Sequence, residues 1–433
     1  MNLSRKWYRT LYTAIARYAF NRIELPERPA ILDQMPTLYL CLHRNGALDG
    51  AVYQRFAPEA QLTPASQLRR NFLARIIFGG IEIVRAKDAA KDGARANNAD
   101  SFKKCAEHLA QGGSLIFFPE GTSDLGARHL PFKRGMASLI EETLARTPKL
   151  AVVALSAHYE DGPAWQSNVE VVATEPLILE GPNQPGLMAR LKTLMESVSL
   201  DCDSLDERQD VETLAYAATL GQRNVFYARE LARVSQSPQL PQQRQALREL
   251  QARAAQEGLA THQGVPLIPT QHQGLYAAFW MILAPIVAGA ALLNLPVLLA
   301  QRAAVKKLAD APNVASLWRA LAGVGASAVW APIMILALGF GLGVWAAVAY
   351  AGWSLVGLKS LYRFKKLSIA LNNAKRATPA TRERLLALHR ELTKESHASL
   401  NGLGHGRVDP ASGGPGAPLP ALDFKASRAG SPD

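Results

Sequence analysis

The sequence predicts an α/β domain, with a mostly parallel sheet flanked by helices, followed by a helical connector and C-terminal membrane helices. Three observations predict this fold class. Short apolar runs alternate with helical patterns through about residue 200, as in parallel sheets. A polar helical stretch rich in Ala, Gln, Arg and Leu follows, from Asp206 to Glu257. Two long runs, Gly274 to Ala300 and Ala320 to Leu358, then contain no charged residue.

Residues 1–25 are predicted to be a basic amphipathic helix on a membrane surface. Up to Phe20, aromatic and aliphatic residues recur every three or four positions among four basic residues. The alternative is an ordinary surface helix that packs on the domain. A secretory signal would need an uninterrupted apolar core and a small-residue cleavage site, and neither is found here.

Residues 26–200 form the predicted α/β domain. Its strands are predicted at residues 37–42, 79–85, 114–118, 151–155 and 169–173, and its helices at residues 67–78, 97–111, 135–146 and 186–199. In open α/β sheets, ligands bind at the carboxyl ends of the strands. The residues that follow the strands are therefore the first candidates for a functional site.

The first predicted strand ends at His43, and Asp49 follows six positions later. Histidine takes up a proton near neutral pH, and a carboxylate beside it fixes its tautomer and stabilises the imidazolium. Residues six apart on a continuous helix lie about 240° apart around the axis and do not meet. The pair therefore requires a turn, for which Gly46 is the candidate. We expect His43 to be a base and Asp49 its orienting group.

A second loop follows the strand at residues 114–118 and concentrates acidic, hydroxyl and basic groups on one segment. Lys133 and Arg134 directly precede the next predicted helix, and its first backbone amides together with these two side chains would make an anion site. Arg85, at the end of another predicted strand, is a candidate to hold a phosphate through two hydrogen bonds. Taken alone, such an arginine is more often a surface ion-pair partner.

Residues 274–366 are predicted to be membrane-embedded hairpins. As helices, the two charge-free runs extend about 40 and 58 Å, against a hydrocarbon thickness of roughly 30 Å. A basic cluster follows each run, Arg302 to Arg319 and Lys359 to Lys366. Because positive residues stay in the cytoplasm, two hairpins that enter and leave on that side satisfy both clusters. This places the α/β domain on the cytoplasmic face of the membrane. One full span followed by a hairpin is the alternative.

Three further segments complete the predicted organisation. Residues 201–273 are the helical connector, and residues 367–400 a basic amphipathic helix. Residues 401–433 are rich in Gly, Pro, Ser and Asp, which is typical of a disordered tail.

Composition limits the classes of partner. The 433 residues carry a formal net charge of +12, which suggests an anionic partner. No aromatic RNA-binding motif, zinc finger or recognition helix accompanies the basic residues, so nucleic acid is disfavoured against a membrane surface or phosphorylated substrates. The three widely spaced cysteines predict no disulfide framework and indicate a reducing compartment. Isolated histidines without metal-ligand spacing predict no metal site.

Four blocks of the sequence fall in the order and approximate spacing of the glycerolipid acyltransferase family: His43-x5-Asp49, Gly80-Ile-Glu-Ile-Val-Arg85, Phe118-Pro-Glu-Gly-Thr122 with Pro131-Phe-Lys-Arg-Gly135, and Val152-Val-Ala-Leu155. The sequence resembles this family, which includes glycerol-3-phosphate and lysophosphatidate acyltransferases, over about residues 30 to 180. The block that contains Glu120 is the most specific of the four.

The resemblance implies a membrane-bound enzyme that moves a fatty acyl group from an acyl-CoA or acyl carrier protein thioester to a hydroxyl of glycerol 3-phosphate or a lysophospholipid. The donor is a co-substrate, and neither a cofactor nor a metal is expected. His43 is then the general base and Asp49 its orienting group, with no covalent acyl-enzyme. The residues expected to bind substrate are Asn45, Arg85, Glu120, Gly121, Thr122, Lys133 and Arg134.

Two other functions remain open. A phospholipid transacylase that works without CoA would use the same base. A non-catalytic membrane tether that binds lipid would have no use for the pair of His43 and Asp49.

The sequence departs from the family pattern at two positions. Five residues separate His43 from Asp49, where most members have four. Either a bulge near Gly46 absorbs the extra residue, or Asp49 lies off the family position. Ser123 occupies a position where arginine is common, and Arg128 or Arg134 is the candidate to supply the missing charge.

Overall fold

The computed structural model describes residues 3–69, 72–84, 99–222, 225–269, 273–309 and 311–403. The helices of this part of the chain are α1 (Leu3–Ala19), α2 (Leu48–Phe56), α3 (Phe72–Ile77), α4 (Ala99–Ala110), α5 (Gly135–Leu144), α6 (Leu187–Glu196), α7 (Leu205–Thr219), α8 (Tyr227–Ser235), α9 (Leu240–Gln256), α10 (Gln273–Leu293), α11 (Leu295–Leu308), α12 (Pro312–Leu342), α13 (Val344–Ala374) and α14 (Pro379–Leu403). The strands are β1 (Phe20–Glu24), β2 (Thr37–Cys41), β3 (Gln61–Leu62), β4 (Ser114–Phe117), β5 (Lys149–Tyr159), β6 (Ser167–Ala173), β7 (Leu177–Glu180), β8 (Thr261–His262) and β9 (Val265–Pro266).

Seven strands form one sheet in the order β1-β6-β5-β2-β4-β3, and β7 pairs with β5. The central strand β2 runs parallel to both β4 and β5, and the pairs β1 with β6 and β3 with β4 are also parallel. Only β5 with β6 and β5 with β7 are antiparallel in this sheet. The predicted mostly parallel sheet flanked by helices is confirmed.

Helices cover both faces of this sheet, which explains why its central strands are apolar throughout. Successive side chains of a strand point to opposite faces. In β2, Tyr39 and Cys41 pack with α1, α2 and the first turns of α12, whereas Leu38 and Leu40 pack with α4, α5 and α6. The carboxyl end of β2 is thereby fixed between two cores, and His43 follows it.

Helix α1 packs on the α/β domain, with Tyr12, Ile15 and Ala16 buried and Trp7 49% exposed. One helix was predicted over residues 1–25, but the helix ends at Ala19 and the next five residues form edge strand β1. Their sequence, Phe-Asn-Arg-Ile-Glu, lacks the alternation that identifies a strand, because its register is set by pairing with β6. The location of α1 on a membrane surface stays a prediction.

The strand predicted at residues 79–85 is much reduced. Ile83 forms a single isolated bridge with Ala65, and Arg85 lies outside the described residues. Strands β3 and β7 were not predicted, since each is short and lies at the margin of the sheet.

Helices α10 to α13 cover the segment predicted to form the hairpins, and two of them run antiparallel. The indole of Trp280 donates to Ser368 at 2.9 Å, and Asn294 donates to Ser354 at 2.8 Å, so α10 runs antiparallel to α13. Helices α12 and α13 are joined by Gly343 alone, which has a φ of +93°. In the same way, Asn294 alone separates α10 from α11.

Three of the described helices, α10, α12 and α13, are long and apolar enough to cross a membrane. Large apolar side chains on them are open to the surroundings, with Phe340 89% and Trp345 80% exposed. Such a surface suits lipid and not water. The sidedness of the hairpins stays a prediction.

The connector is a small helical core of its own. Helices α7, α8 and α9 pack against α14, whose Leu385, Leu388 and Leu392 are buried in this core. Glu170 of β6 accepts hydrogen bonds from the first backbone amides of α8, at Tyr227 (2.8 Å) and Ala228 (2.7 Å), and so attaches this core to the sheet. The predicted disordered tail lies outside the described residues from residue 404 onward.

Candidate active site

The imidazole of His43 lies against the carboxylate of Asp49, with 2.8 Å between Nδ1 and Oδ2. The His43 side chain is 15% exposed and that of Asp49 is 1% exposed. A carboxylate accepts hydrogen bonds, so Nδ1 carries the proton and Nε2 is left as the basic nitrogen. The ring packs on Phe118, with 4.3 Å between ring centroids.

Asp49 is held by more than the histidine. Its Oδ2 also accepts the backbone N–H groups of Arg44 and Asn45, each at 2.8 Å, and its Oδ1 accepts the hydroxyl of Tyr159. Asp49 stands in the first turn of α2, where the helix dipole favours a negative charge. Four donors therefore fix one carboxylate in the orientation that serves His43.

Gly46 makes the turn that the pair requires. Its φ is +56°, a backbone conformation that residues other than glycine rarely adopt. With five residues between them, His43 and Asp49 are in contact across this turn.

The loop after β4 is bonded to the backbone of His43 on both sides. Oε1 of Glu120 accepts the N–H of His43 at 2.8 Å, and the carbonyl of His43 accepts the N–H of Asp124 at 3.1 Å. The other oxygen of Glu120 accepts the N–H of Leu130 at 3.0 Å. Glu120 is 2% exposed, and burial raises its pKa, while the hydrogen bonds from Leu130 and His43 act in the opposite direction.

A cavity of about 680 Å³ opens beside His43. His43, Thr122 and Lys133 are among its polar lining residues, and most of the lining is apolar, including Leu62, Phe78, Phe102, Leu317 and Trp318. A volume of this size is in the range of small-molecule and cofactor sites. The arrangement combines an oriented base with room for a polar group and an apolar chain.

Part of the α/β domain matches a known protein family. Residues 22–156 match the family model described as Acyltransferase. They form an acyltransferase domain. The match contains the pair of His43 and Asp49 and the loop of Glu120, and at this level the resemblance found in the sequence is confirmed.

Among solved structures, the crystal structure of the 1-acyl-sn-glycerophosphate (LPA) acyltransferase PlsC from Thermotoga maritima is similar to this chain. The TM-score is 0.33 at 14% sequence identity, over 44% of this chain and 78% of that chain. No curated protein matches the chain.

The predicted substrate-binding residues of the acyltransferase domain take different places. Gly121, Thr122 and Lys133 line the cavity, and the Lys133 ammonium lies so close to Gly121 that a Cβ added there would come within 2.4 Å of it. Asn45 is buried, its amide 3.5 Å from the carbonyl of Gly162. Glu120 is buried between two backbone amides, as described above. Their roles toward substrate stay predictions.

The cations proposed to replace the missing arginine do not reach the cavity. Arg128 pairs with Asp203 and donates to the carbonyl of Cys202 at 3.0 Å, on the side of the connector. Arg134 is exposed at the start of α5 and is not among the described residues that line the cavity. Of the described lining residues, Lys133 is the one lysine or arginine.

Helix α12 contributes to the site, which the sequence did not predict. The amide of Asn313 donates to the hydroxyl of Ser123 at 2.8 Å, and Val314, Leu317 and Trp318 form one wall of the cavity. No motif links position 313 to position 123, because 190 residues separate them. Tyr159 was also missed, although its position at the end of β5 was a signal.

Among the described residues, the side chains that could bind a metal ion are not grouped together. No group of three or more His, Cys, Asp or Glu side chains there is placed to hold a metal ion.

Proposed function

We propose that this chain is a membrane-bound O-acyltransferase that moves a fatty acyl group from an acyl-CoA or acyl carrier protein thioester to a hydroxyl of glycerol 3-phosphate or a lysophospholipid. This proposal rests on the 2.8 Å contact of Asp49 with His43 at the wall of a cavity that is lined by a lysine, a threonine and many apolar residues. A non-catalytic lipid tether would not need a buried carboxylate held by four donors behind a histidine.

In the proposed reaction, Nε2 of His43 takes the proton of the acceptor hydroxyl as its oxygen attacks the thioester carbonyl. The imidazolium that forms is stabilised by Asp49 through Nδ1–H. When the tetrahedral intermediate collapses, the C–S bond breaks and the thiolate leaves with the proton returned by His43. Such a general base typically contributes about 10²- to 10⁴-fold in rate.

The polar lining residues of the cavity suit an acceptor that carries a phosphate. Lys133 supplies a positive charge beside Gly121 and Thr122, and because Gly121 has no Cβ, the Lys133 ammonium can lie directly against it. The apolar remainder suits a fatty acyl chain, whose burial is favourable by about 0.8 kcal/mol per CH₂ group.

The proposal is tested with purified full-length protein in mixed micelles and a radiolabelled acyl donor. The donors are acyl-CoA, acyl carrier protein thioester and diacyl phospholipid, each with glycerol 3-phosphate, lysophosphatidate or lysophosphatidylcholine as acceptor. We expect labelled ester product with a thioester donor and a phosphate-bearing acceptor. Transfer from diacyl phospholipid alone would identify a transacylase, and no transfer from any donor would contradict the enzyme proposal.

A further inference from the structure

Three basic side chains from distant parts of the sequence meet in a second cavity of about 540 Å³. Arg17 comes from α1, Arg55 from the last turn of α2, and Lys359 from α13. None of the described residues that line this cavity also lines the cavity beside His43. The site is therefore separate from the acyltransferase site.

No acid neutralises these three charges among the described residues. The lining of the cavity contains no Asp or Glu there, and Glu24, the acid of the adjacent strand β1, pairs with Arg22 instead. Burial, together with the neighbouring charges of Arg17 and Arg9, lowers the pKa of Arg55. Like charges held this close repel one another, so binding of an anion would relieve an unfavourable interaction.

Lys359 is nevertheless held firmly in place. Its ammonium donates to the backbone carbonyls of Arg17 and Phe20, each at 3.2 Å, which fixes α13 against the end of α1. An ammonium has three donor hydrogens, so one remains available for a ligand. Of the three cations in this cluster, Lys359 is thus fixed by tertiary hydrogen bonds, Arg55 is partly buried and Arg17 is exposed.

The cluster lies where the apolar surface of the hairpins ends. Lys359 directly follows the charge-free run from Ala320 to Leu358, and Leu355, one turn earlier, is 60% exposed. In a membrane, this boundary coincides with the headgroup layer. The phosphate of a bilayer lipid is at the same depth.

A third cavity, of about 340 Å³, adjoins the cluster and leads away from it. The two cavities share Tyr18, Leu355 and Leu358, and the third is otherwise lined mainly by apolar residues of α10 to α13, such as Val287 and Ile335. A cationic pocket that continues into an apolar cavity between helices matches a phosphate joined to a hydrocarbon chain.

We propose that Arg17, Arg55 and Lys359 bind the phosphate of an anionic bilayer phospholipid whose acyl chain occupies the adjoining cavity between the hairpins. The lipid would bridge α1, α2 and α13 and so connect the acyltransferase domain to the membrane helices. This role does not depend on the reaction at His43, and binding is expected in its absence.

The test measures binding of fluorescent phosphatidylglycerol to the purified full-length protein in nonionic micelles, with phosphatidylcholine as the zwitterionic comparison. The variants are Arg17→Gln/Arg55→Gln, the charge-preserving Arg17→Lys/Arg55→Lys, and Arg190→Gln/Lys192→Gln. The last pair removes the same charge from the exposed face of α6. Thermal unfolding of each variant verifies that it is folded.

We expect saturable binding of phosphatidylglycerol that is weakened on the order of tenfold or more in Arg17→Gln/Arg55→Gln and retained in the lysine and α6 variants. Inorganic phosphate and glycerol phosphate should not compete, since they lack the acyl chain. Equal binding of phosphatidylcholine, equal loss in the α6 variant, or full competition by inorganic phosphate would each overturn the proposal.

Discussion

His43 is positioned through its backbone as much as through its ring. Its N–H and carbonyl bond to the loop of Glu120 and Asp124, and its ring bonds to Asp49. The sequence allowed the histidine and its partner to be predicted, because a strand end, a glycine and an acid occur in order. It did not allow the role of Glu120 as a backbone anchor to be predicted, since that role depends on a contact across 77 positions.

Asp49→Asn is expected to keep the fold and lose most of the acyl transfer. Both carboxylate oxygens of Asp49 accept hydrogen bonds, whereas the asparagine amide has an NH₂ group in place of one of them. This NH₂ group would face an N–H donor, and the tautomer of His43 would no longer be fixed. We expect kcat to fall by about 10²-fold or more and the thermal midpoint to fall modestly. Asp33→Asn, an exposed acid of the same domain that pairs with Arg28, is the control. Unchanged kcat in Asp49→Asn would contradict an orienting role.

His158 on β5 is expected to make the domain sensitive to acid. Burial, with Arg208 and Arg44 adding to it, lowers the pKa of His158 to about 3. In the unfolded chain, the pKa is about 6.5. Between these values the unfolded state binds more protons, so the free energy of unfolding falls as the pH drops below 6.5, by about 3 kcal/mol at pH 4.

Thermal midpoints measured from pH 7 to pH 4 check this expectation. His158→Gln should flatten the dependence on pH, whereas His389→Gln on α14 should leave it in place. An equally steep loss of stability in His158→Gln would assign the acid sensitivity to other groups.

At the scale of elements, the alternation of strands and helices was sufficient to predict the parallel sheet. Strand β2 could be predicted because all of its residues are buried, which gives a continuous apolar run in the sequence. Strand β1 was not, since its neighbour in the sheet is β6, almost 150 residues away, and its own sequence does not alternate. The packing of α12 against the site could not be predicted either, because the residues in contact are far apart in the sequence.

Gly46→Ala tests the contact between α12 and the turn of the active site. A Cβ at position 46 would lie 3.0 Å from the carbonyl oxygen of Asn313 and 3.1 Å from a methyl of Val314. Gly181→Ala is the matched control, since Gly181 has a φ of +71° but nothing within 4 Å of an added Cβ. The control measures the cost of the left-handed backbone alone, about 1 kcal/mol.

We expect Gly46→Ala to lower the thermal midpoint more than Gly181→Ala and to impair acyl transfer, which Gly181→Ala should leave intact. The measurements are thermal unfolding and kcat/KM for the same substrate pair. Equal effects of the two variants on both would show that α12 does not constrain the turn.

In the whole molecule, the length of the two charge-free runs was sufficient to predict membrane helices. It did not predict how these helices pack against the acyltransferase domain. The first turns of α12 belong to the core of that domain through Leu317 and Ala320, and the remainder of α12 belongs to the hairpins. One helix therefore serves both parts. Periodicity within the helix does not reveal such a division, because its two ends face different surroundings.

The predicted topology places both basic ends of the hairpins on the side of the acyltransferase domain. Single cysteines at Lys307 and Arg376 should react with a membrane-impermeant maleimide only from that side, whereas a cysteine at Phe340, near the tip, should not. The three natural cysteines are buried, which keeps their background reaction low. Reaction of position 307 from the opposite side would favour one full span followed by a hairpin.

The proposed reaction requires the imidazole of His43 to remove the proton from an acceptor hydroxyl. The most direct measurement is the single-turnover rate of acyl transfer from labelled acyl-CoA by His43→Ala beside the wild-type protein, with thermal unfolding and membrane partitioning measured on the same samples. We predict a loss of about 10²-fold or more with folding and partitioning unchanged. Transfer at the wild-type rate by the folded alanine variant would contradict the account.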